Sequence, residues 1–215
     1  MKYYPLYMDL EGRKCLVVGA GAVAARKVRA LLECGARVTV VGEDPVPALQ
    51  RLESESLTIR ARKFRRSDMG RYSLVVGATD DSVVNRTVSR ESRKRGIPVN
   101  IVDVPEESTF IVPAVHRRGD LAIAVSTGGK SPAAARRIRE ELEERYGGDY
   151  AVMIALLGAH REEMMTAVPG HRRRAAAWKG ILDAGLLGVL RKKGRPAGAA
   201  LIRRHIRAAA EGEGV

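Results

Sequence analysis

The chain has 215 residues, of which 45% are hydrophobic and 29% charged, and its formal net charge is +13. No apolar run reaches the roughly 18 residues that cross a membrane, and residues 1–5 lack a signal-peptide core, so we expect a cytoplasmic protein without a membrane partner. The excess of positive charge is larger in residues 114–215 than in residues 1–113, which favours an anionic partner, with general solubility as the alternative.

The first predicted strand, residues 14–18, runs into a glycine turn that opens a helical pattern. Gly19 and Gly21 let the backbone turn sharply and approach a ligand, and Ala24 takes the third, helix-packing place of the dinucleotide fingerprint. The helix that follows points free N–H groups and its positive dipole end at the turn, which suits a pyrophosphate. This stretch therefore predicts a dinucleotide site.

A second strand, residues 37–41, ends about twenty residues beyond the glycines, at Glu43 and Asp44. An acidic side chain at this place accepts hydrogen bonds from the adenosine ribose and repels a 2′-phosphate, so the sequence favours NAD over NADP. Asp44 has a second interpretation, because Asp followed by Pro45 is also a good start for a helix.

Further strands are predicted at residues 57–60, 74–77 and 96–102. Thr79 and Asp80 follow the buried strand 74–77 and are candidate cofactor contacts, although Asp80 or its neighbour could instead cap the next helix. Five strands with crossover helices predict an α/β fold with a Rossmann-like, doubly wound parallel sheet.

Asp103 follows the fifth predicted strand, on the edge of the sheet where ligands collect. A carboxylate there can act as a general base or bind a ligand cation. The alternative is a turn-forming Asp close to Pro105.

Beyond the fifth strand, residues 110–113 and 121–126 are predicted as strands, separated by a turn at 117–120. A glycine-rich loop with hydroxyls follows, and Ser131 is the expected N-cap of a helix that begins at Pro132. Lys130 in this loop, with the arginines on the first helical turns, predicts a second anion site that suits a carboxylate or a phosphate. The loop lacks the Walker A spacing, so nucleotide hydrolysis is not predicted.

Short helices are predicted for the rest of the chain, with breaks at residues 147–148, 169–170 and 194–196 and a frayed end at 211–215. The two cysteines and four histidines show no metal-ligand spacing, so no metal site is predicted. Cys15 and Cys34 are expected to be core residues.

An ordered set of motifs within residues 3–147 resembles the precorrin-2 dehydrogenase family, the N-terminal region of siroheme synthase. In chain order the motifs are Pro5-Leu6, Val17-Val-Gly-Ala-Gly-Ala-Val-Ala-Ala-Arg-Lys27, Ala78-Thr-Asp-Asp81, Asn100-Ile-Val-Asp103, Phe110-Ile-Val-Pro113 and Val125-Ser-Thr-Gly-Gly-Lys-Ser-Pro132. Two positions depart from the usual family pattern: Ala20 replaces a middle glycine, and Thr127 replaces a serine but keeps the hydroxyl.

The resemblance implies oxidation of precorrin-2 to sirohydrochlorin with NAD as cofactor. It implies an NAD-binding domain over residues 1–113, a small α+β homodimerisation region over 114–147, and a helical domain over 148–215 that covers the active-site cleft. It places the catalytic aspartate at Asp103. The cofactor residues that it implies are Gly19, Gly21, Ala22 and Val23, with Glu43 and Asp44 at the adenosine side.

Precorrin-2 carries eight carboxylates, so this resemblance gives the second anion loop a partner. The candidate substrate-binding residues are Ser126, Thr127, Gly128, Lys130, Ser131 and Arg136. Some family members also insert iron into sirohydrochlorin, and His116 could help there as a base or transient ligand. Since His116 lies beside two arginines near a predicted turn, we expect a surface histidine.

The sequence leaves two other functions as alternatives. One is an NAD-responsive regulator that binds nucleic acid through the basic C-terminal half, and the other is metal insertion alone. Few aromatic residues and no helix-turn-helix pattern argue against a nucleic-acid partner.

Overall fold

The computed structural model describes residues 2–52 and 54–212, so most of the segment predicted as frayed lies outside the described residues. The chain forms two compact units, Met1–Val112 and Pro113–Val215.

The first unit is built on a five-stranded parallel sheet with the strand order β3-β2-β1-β4-β5. The strands are β1 (Lys14–Val18), β2 (Arg37–Val41), β3 (Leu57–Arg60), β4 (Leu74–Gly77) and β5 (Val99–Ile101). The helices of this unit are α1 (Ala22–Leu32), α2 (Pro47–Gln50) and α3 (Ser82–Lys94). This order is that of a doubly wound Rossmann sheet, so the predicted fold class is confirmed.

Alternate residues of β1 face opposite sides of the sheet. Cys15 and Val17 pack in one apolar cluster with Val28 of α1, whereas Leu16 and Val18 belong to a cluster with Val88 of α3. Because both faces are covered, the central strands are continuous apolar runs rather than alternating ones.

The prediction that Cys15 is a core residue is confirmed, since its side chain is fully buried. Burial, with a smaller effect from Cys34, raises the pKa of the Cys15 thiol to about 11. Cys34 packs against the same cluster from a half-buried position. Neither cysteine forms a disulfide.

The strand register brings the carboxyl ends of four strands to one edge. Val18, the last residue of β1, is paired with Val41 of β2 and with Gly77 of β4, and Gly77 is paired with Ile101 of β5. The four segments that follow these strands therefore start side by side, although they are far apart in sequence.

The second unit contains an antiparallel hairpin of β6 (Ala114–Arg118) and β7 (Leu121–Val125), against which α4 (Pro132–Arg145) packs. Helices α5 (Gly148–Ala159), α6 (Arg161–Ala167), α7 (His171–Asp183) and α8 (Leu186–Glu211) share a separate apolar cluster. The predicted break near residue 194 is present as a kink in α8, where Gly194 leaves the helical conformation with φ 76°. Within the described ranges, no helix is long and apolar enough to cross a membrane.

The strand predicted at residues 110–113 is wrong, because this segment is irregular and the hairpin begins at Ala114. Tertiary contacts decide the conformation here. Phe110 packs against the apolar cluster under α1, and its carbonyl accepts a hydrogen bond from the Asn100 side chain (3.1 Å). The predicted turn is correspondingly shorter, since β6 extends to Arg118 and only two residues connect it to β7.

A buried carboxylate anchors the segment after β3. The Asp68 side chain is 3% exposed and accepts two hydrogen bonds from Arg62, at 2.8 and 2.6 Å, and one from the Arg65 amide at 2.8 Å. The bonds from Arg62 are the main reason why the pKa of Asp68 falls to about 2. The ionised form is therefore the one that the folded state stabilises.

We expect Asp68→Asn to lower the free energy of unfolding at pH 7 by about 1–2 kcal/mol. Because the pKa of Asp68 is lowered by folding, this contribution is present above about pH 4 and is lost as the pH falls toward 2. Urea unfolding of both proteins across this range measures the effect. The control is Asp183→Asn, which removes an exposed carboxylate. It should leave the free energy of unfolding nearly unchanged. A difference in unfolding free energy between Asp68→Asn and the unchanged protein that grows as the pH falls would contradict this account.

Candidate functional site

The turn after β1 is held against the end of β4 at a point where only glycine fits. Gly19 has φ 119°, and a Cβ atom there would overlap the carbonyl oxygen of Ala78 and lie 2.9 Å from the amide nitrogen of Thr79. The Gly19 amide donates to the carbonyl of Val41 (2.8 Å). The first fingerprint glycine thus joins the ends of three strands.

The N-terminus of α1 is free to bind an anion. The helix begins at Ala22 with Gly21 as N-cap, and no side chain caps it. A Cβ atom at Gly21 would meet nothing within 4 Å. By contrast, the first turn of α3 is capped by Asp81 and that of α4 by Ser131. The exposed N–H groups and the helix dipole fit the pyrophosphate of a dinucleotide.

Glu43 and Asp44 are exposed at the end of β2, next to the glycine turn. The amide of Val46 donates to the carbonyl of Ala20 (3.1 Å), which ties the two loops together. The capping interpretation of Asp44 is wrong, because α2 begins at Pro47 with Val46 as its N-cap, and Asp44 itself adopts φ 50°. Its carboxylate is left at the edge of the sheet.

Gly42 is a residue of this site that the sequence reasoning missed. A Cβ atom at Gly42 would lie 2.8 Å from the backbone nitrogen of Ala20. The loop after β2 can approach the glycine turn only because this position has no side chain. The sequence does carry one signal for this role, since Gly42 stands directly between a buried strand and two acidic residues.

In the loop after β4, the structure shows which aspartate caps the next helix. Asp81 is the N-cap of α3, with Oδ1 accepting from the amides of Val83 (2.8 Å) and Val84 (3.1 Å). Asp80 is exposed and Thr79 is half-buried on the same loop. Because Asp81 caps the helix, the Asp80 side chain is available to contact a cofactor.

Asn85 is a second residue that the sequence reasoning missed. It is 9% exposed, and its Nδ2 donates to the carbonyl of Thr79 (2.8 Å). Its Oδ1 is buried without a hydrogen-bond partner among the described residues. Asn85 thus holds the loop that carries Thr79, and only the folded structure brings the two together.

Asp103 is exposed in the turn after β5 and adopts φ 60°. The Ser108 hydroxyl fixes this turn, because its Oγ donates toward the carbonyls of Ile101 (3.2 Å) and Val104 (3.0 Å) and accepts from the Ile101 amide (2.9 Å). The turn interpretation is therefore correct for the backbone. It leaves the carboxylate accessible for proton transfer.

In the second unit, hydroxyl groups build the loop between β7 and α4. Thr127 Oγ1 accepts from the Ser131 amide (3.0 Å), and Ser126 Oγ accepts from the Gly128 amide (3.1 Å). Ser131 Oγ caps α4 through the Ala134 amide (3.2 Å), as predicted. Gly128 has φ 64°, a conformation that favours glycine.

The cations of this loop and of α4 differ in their availability. Arg137 pairs with Glu141, and Arg139 pairs with Glu140 and Glu143. Arg136 and Lys130 are exposed, and neither has an ion pair within the described part of the chain. A surface cavity of about 360 Å³ lies over the start of α4, lined by Pro132, Ala133, Arg136, Arg137 and Glu140. Arg136 is thus a cation ready for an anionic ligand.

His116 is not the surface histidine that was expected, since it is 1% exposed in β6. One ring nitrogen, Nε2, lies 2.8 Å from the carbonyl of Tyr146, and Nδ1 is buried without a partner among the described residues. The strand alternation turns His116 inward while its neighbour Arg117 faces outward. Across residues 2–52 and 54–212, no three His, Cys, Asp or Glu side chains come together as a metal site.

Two family models match the chain. One, described as putative NAD(P)-binding, covers residues 6–114, and the other, described as sirohaem biosynthesis protein central, covers residues 118–145. The first spans half of the chain and includes the whole parallel sheet. The chain belongs to this NAD(P)-binding family. Together, the two matches confirm the resemblance to the N-terminal region of siroheme synthase.

Comparison with individual proteins gives the same result as the family models. The siroheme synthase of Methylococcus capsulatus is 37% identical over 85% of this chain and 39% of its own length. That of Methylobacillus flagellatus is 39% identical over 87% of this chain and 40% of its own length. The chain thus spans about two fifths of these relatives. A solved structure of SirC, precorrin-2 dehydrogenase, has a TM-score of 0.77 and 27% identity, over 94% of this chain and 98% of that chain.

We expect Gly19→Ala to weaken NAD⁺ binding at least about tenfold, because the added methyl group pushes the glycine turn away from Ala78. Calorimetric titration with NAD⁺ measures this. Gly12→Ala is the matched control: Gly12 also has positive φ, but its Cβ position is open. NAD⁺ binding by Gly19→Ala at the affinity of the unchanged protein would refute the role of the close approach.

Proposed function

We propose that this chain is an NAD-dependent dehydrogenase that oxidises precorrin-2 to sirohydrochlorin. The observation that carries the proposal is the shared sheet edge, where an uncapped helix N-terminus follows β1 and the accessible carboxylate of Asp103 follows β5, with β4 between them. The family membership and the likeness to a precorrin-2 dehydrogenase support it.

The first unit supplies the cofactor residues of this proposal. The backbone of Gly19, Gly21, Ala22 and Val23 binds the pyrophosphate through the first turn of α1. Glu43 and Asp44 accept hydrogen bonds from the adenosine ribose, and their charge disfavours a 2′-phosphate, which makes NAD⁺ the preferred cofactor. Thr79 and Asp80 flank the cofactor at the end of β4.

The reaction removes two hydrogens from the substrate, one as hydride and one as a proton. When bound, NAD⁺ supplies the acceptor for the hydride and its electron pair. Asp103 accepts the proton as a second C–H or N–H bond of the substrate breaks, and it later releases this proton to water. The products are sirohydrochlorin, NADH and one proton, so atoms and charge balance.

The second unit supplies cations for the carboxylates of precorrin-2. Lys130 and Arg136 are exposed without ion pairs among the described residues, and Gly128 leaves its backbone accessible. The hydroxyls of Ser126, Thr127 and Ser131 hold the loop in shape through hydrogen bonds from backbone amides, and we propose that they contact the substrate together with these cations. An anionic substrate gains from charge-assisted hydrogen bonds at such a place.

We further propose that the protein is a cytoplasmic homodimer organised as domains 1–113, 114–147 and 148–215. Exposed apolar side chains on the middle region support self-association, with Val115 of β6 40% exposed and Ile138 of α4 42% exposed. The absence of a disulfide at Cys15 and Cys34 fits a reducing compartment.

We expect Asp103→Asn to lower the turnover of precorrin-2 with NAD⁺ at least about 100-fold, since the amide cannot accept the proton. NADH absorbance and the sirohydrochlorin spectrum report turnover. The dissociation constant for NAD⁺ should stay within about threefold of that of the unchanged protein.

The matched control is Glu106→Gln, which removes an exposed carboxylate three residues along the same loop. Its turnover should equal that of the unchanged protein. Full activity of Asp103→Asn would remove Asp103 from the proposed role, and absence of turnover by the unchanged protein would refute the proposed function.

A further inference from the structure

A row of polar side chains on α3 binds the two segments that follow β4 and β5. Asn85, Ser89 and Arg93 are spaced four residues apart and therefore lie on one face of the helix. Asn85 binds the loop after β4 through the carbonyl of Thr79. Ser89 and Arg93 bind the segment after β5. One helix thus connects the loop after β4 to the segment that carries Asp103.

Ser89 makes the central contact of this row. Its side chain is fully buried, and its Oγ donates to the carbonyl of Glu107 at 2.6 Å. Glu107 is the last residue of one turn of 3-10 helix, Pro105–Glu107. Because Ser89 is fully buried, water cannot readily replace its hydroxyl as the donor to this carbonyl. The Ser89 hydroxyl is therefore the buried attachment of this turn to α3.

Arg93 adds a second attachment from the next turn of α3. Its Nη2 donates to the carbonyls of Glu106 (3.0 Å) and Ser108 (3.2 Å), which lie on either side of the carbonyl that Ser89 binds. Three consecutive carbonyls of the segment after β5 are thus held by α3. Arg93 is exposed, so it supports from the surface a contact that Ser89 makes in the interior.

Ser108 carries this attachment to the turn that contains Asp103. Ser108 Oγ donates toward the carbonyls of Ile101 (3.2 Å) and Val104 (3.0 Å), and the Val104 amide donates to the carbonyl of Ile101 (3.2 Å). Asp103 adopts φ 60° inside this turn, a conformation that a residue with a Cβ atom keeps only where its surroundings impose it. Since the carboxylate is exposed, its position depends on how the turn is held.

We propose that Ser89 is a positioning residue for proton removal. Its bond to the carbonyl of Glu107 docks the turn on α3 and so fixes the place from which the Asp103 carboxylate meets the substrate. This inference rests on the proposed function and deepens it by adding a residue that acts through Asp103. A general base needs such a fixed origin, because a displacement of about 1 Å can cost about 100-fold in rate.

Ser92 is a matched control on the same helix. It is also fully buried, but its Oγ has no hydrogen-bond partner among the residues that the structure describes. A change from serine to alanine removes the same oxygen from the same helix at either position. Only the change at Ser89 removes a bond to the segment that carries Asp103.

The test compares Ser89→Ala with Ser92→Ala in the full chain, with precorrin-2 and NAD⁺. In Ser89→Ala, kcat should fall at least about fivefold, while KM for precorrin-2 and the dissociation constant for NAD⁺ stay within about twofold. Ser92→Ala should keep kcat within about twofold. A smaller fall in Ser89→Ala, an equal fall in both variants, or a larger change in KM overturns the inference and leaves the proposed function intact.

A double-mutant cycle separates positioning from a general loss of structure. When Ser89→Ala is added to Asp103→Asn, kcat should stay within about twofold of that of Asp103→Asn alone, because no general base is left to misplace. A loss of structure would instead multiply the two effects. Any larger further fall in kcat therefore overturns the inference.

The Tm of each variant shows whether it is folded at the temperature of the assay. If Ser89→Ala does not fold, Arg93→Met takes its place under the same limits, because it removes the second attachment from an exposed position. Its control is Arg90→Met, which removes an exposed arginine of α3 that pairs with Glu91 of the same helix (3.7 Å). Absence of turnover in the unchanged protein refutes the proposed function and the inference together.

Discussion

The contact of Gly19 with the start of the loop after β4 is the constraint on which the rest of the site depends. Because Gly19 has no Cβ, the turn after β1 can lie against Ala78 while its amide binds Val41. The two neighbours of β1 are fixed by one residue. The parallel register then carries this alignment to β5, so that Asp103 begins from the same edge.

The two proposed anion sites differ in their physical design. At α1 the helix N-terminus is left uncapped, so backbone N–H groups and the dipole attract the ligand. At α4 the N-terminus is satisfied by Ser131, and the basic side chains of Lys130 and Arg136 nearby are exposed. Fixed amides recognise an anion of one geometry, whereas flexible basic side chains can adapt to several.

Much of the first unit could be predicted from the sequence because its signals are local. Buried parallel strands are short apolar runs, and the glycine fingerprint marks the turn and the helix after it. The same holds for the helix start at Ser131 and Pro132. Each of these features is decided by residues that are adjacent in the chain.

The errors and omissions come from contacts between distant residues. Residues 110–113 looked like a strand, but Phe110 is drawn into the core of the first unit. His116 was expected at the surface, but it is buried in β6, which packs against α4 and α5. The roles of Gly42 and Asn85 could not be predicted, because only the fold brings their partners, Ala20 and Thr79, next to them.

The most direct measurement of the central claim is the stoichiometry of products formed by the unchanged protein from precorrin-2 and NAD⁺. The account predicts one NADH for each sirohydrochlorin formed, with much slower reaction when NADP⁺ replaces NAD⁺. Sirohydrochlorin formed without NADH, or no sirohydrochlorin at all, would contradict it.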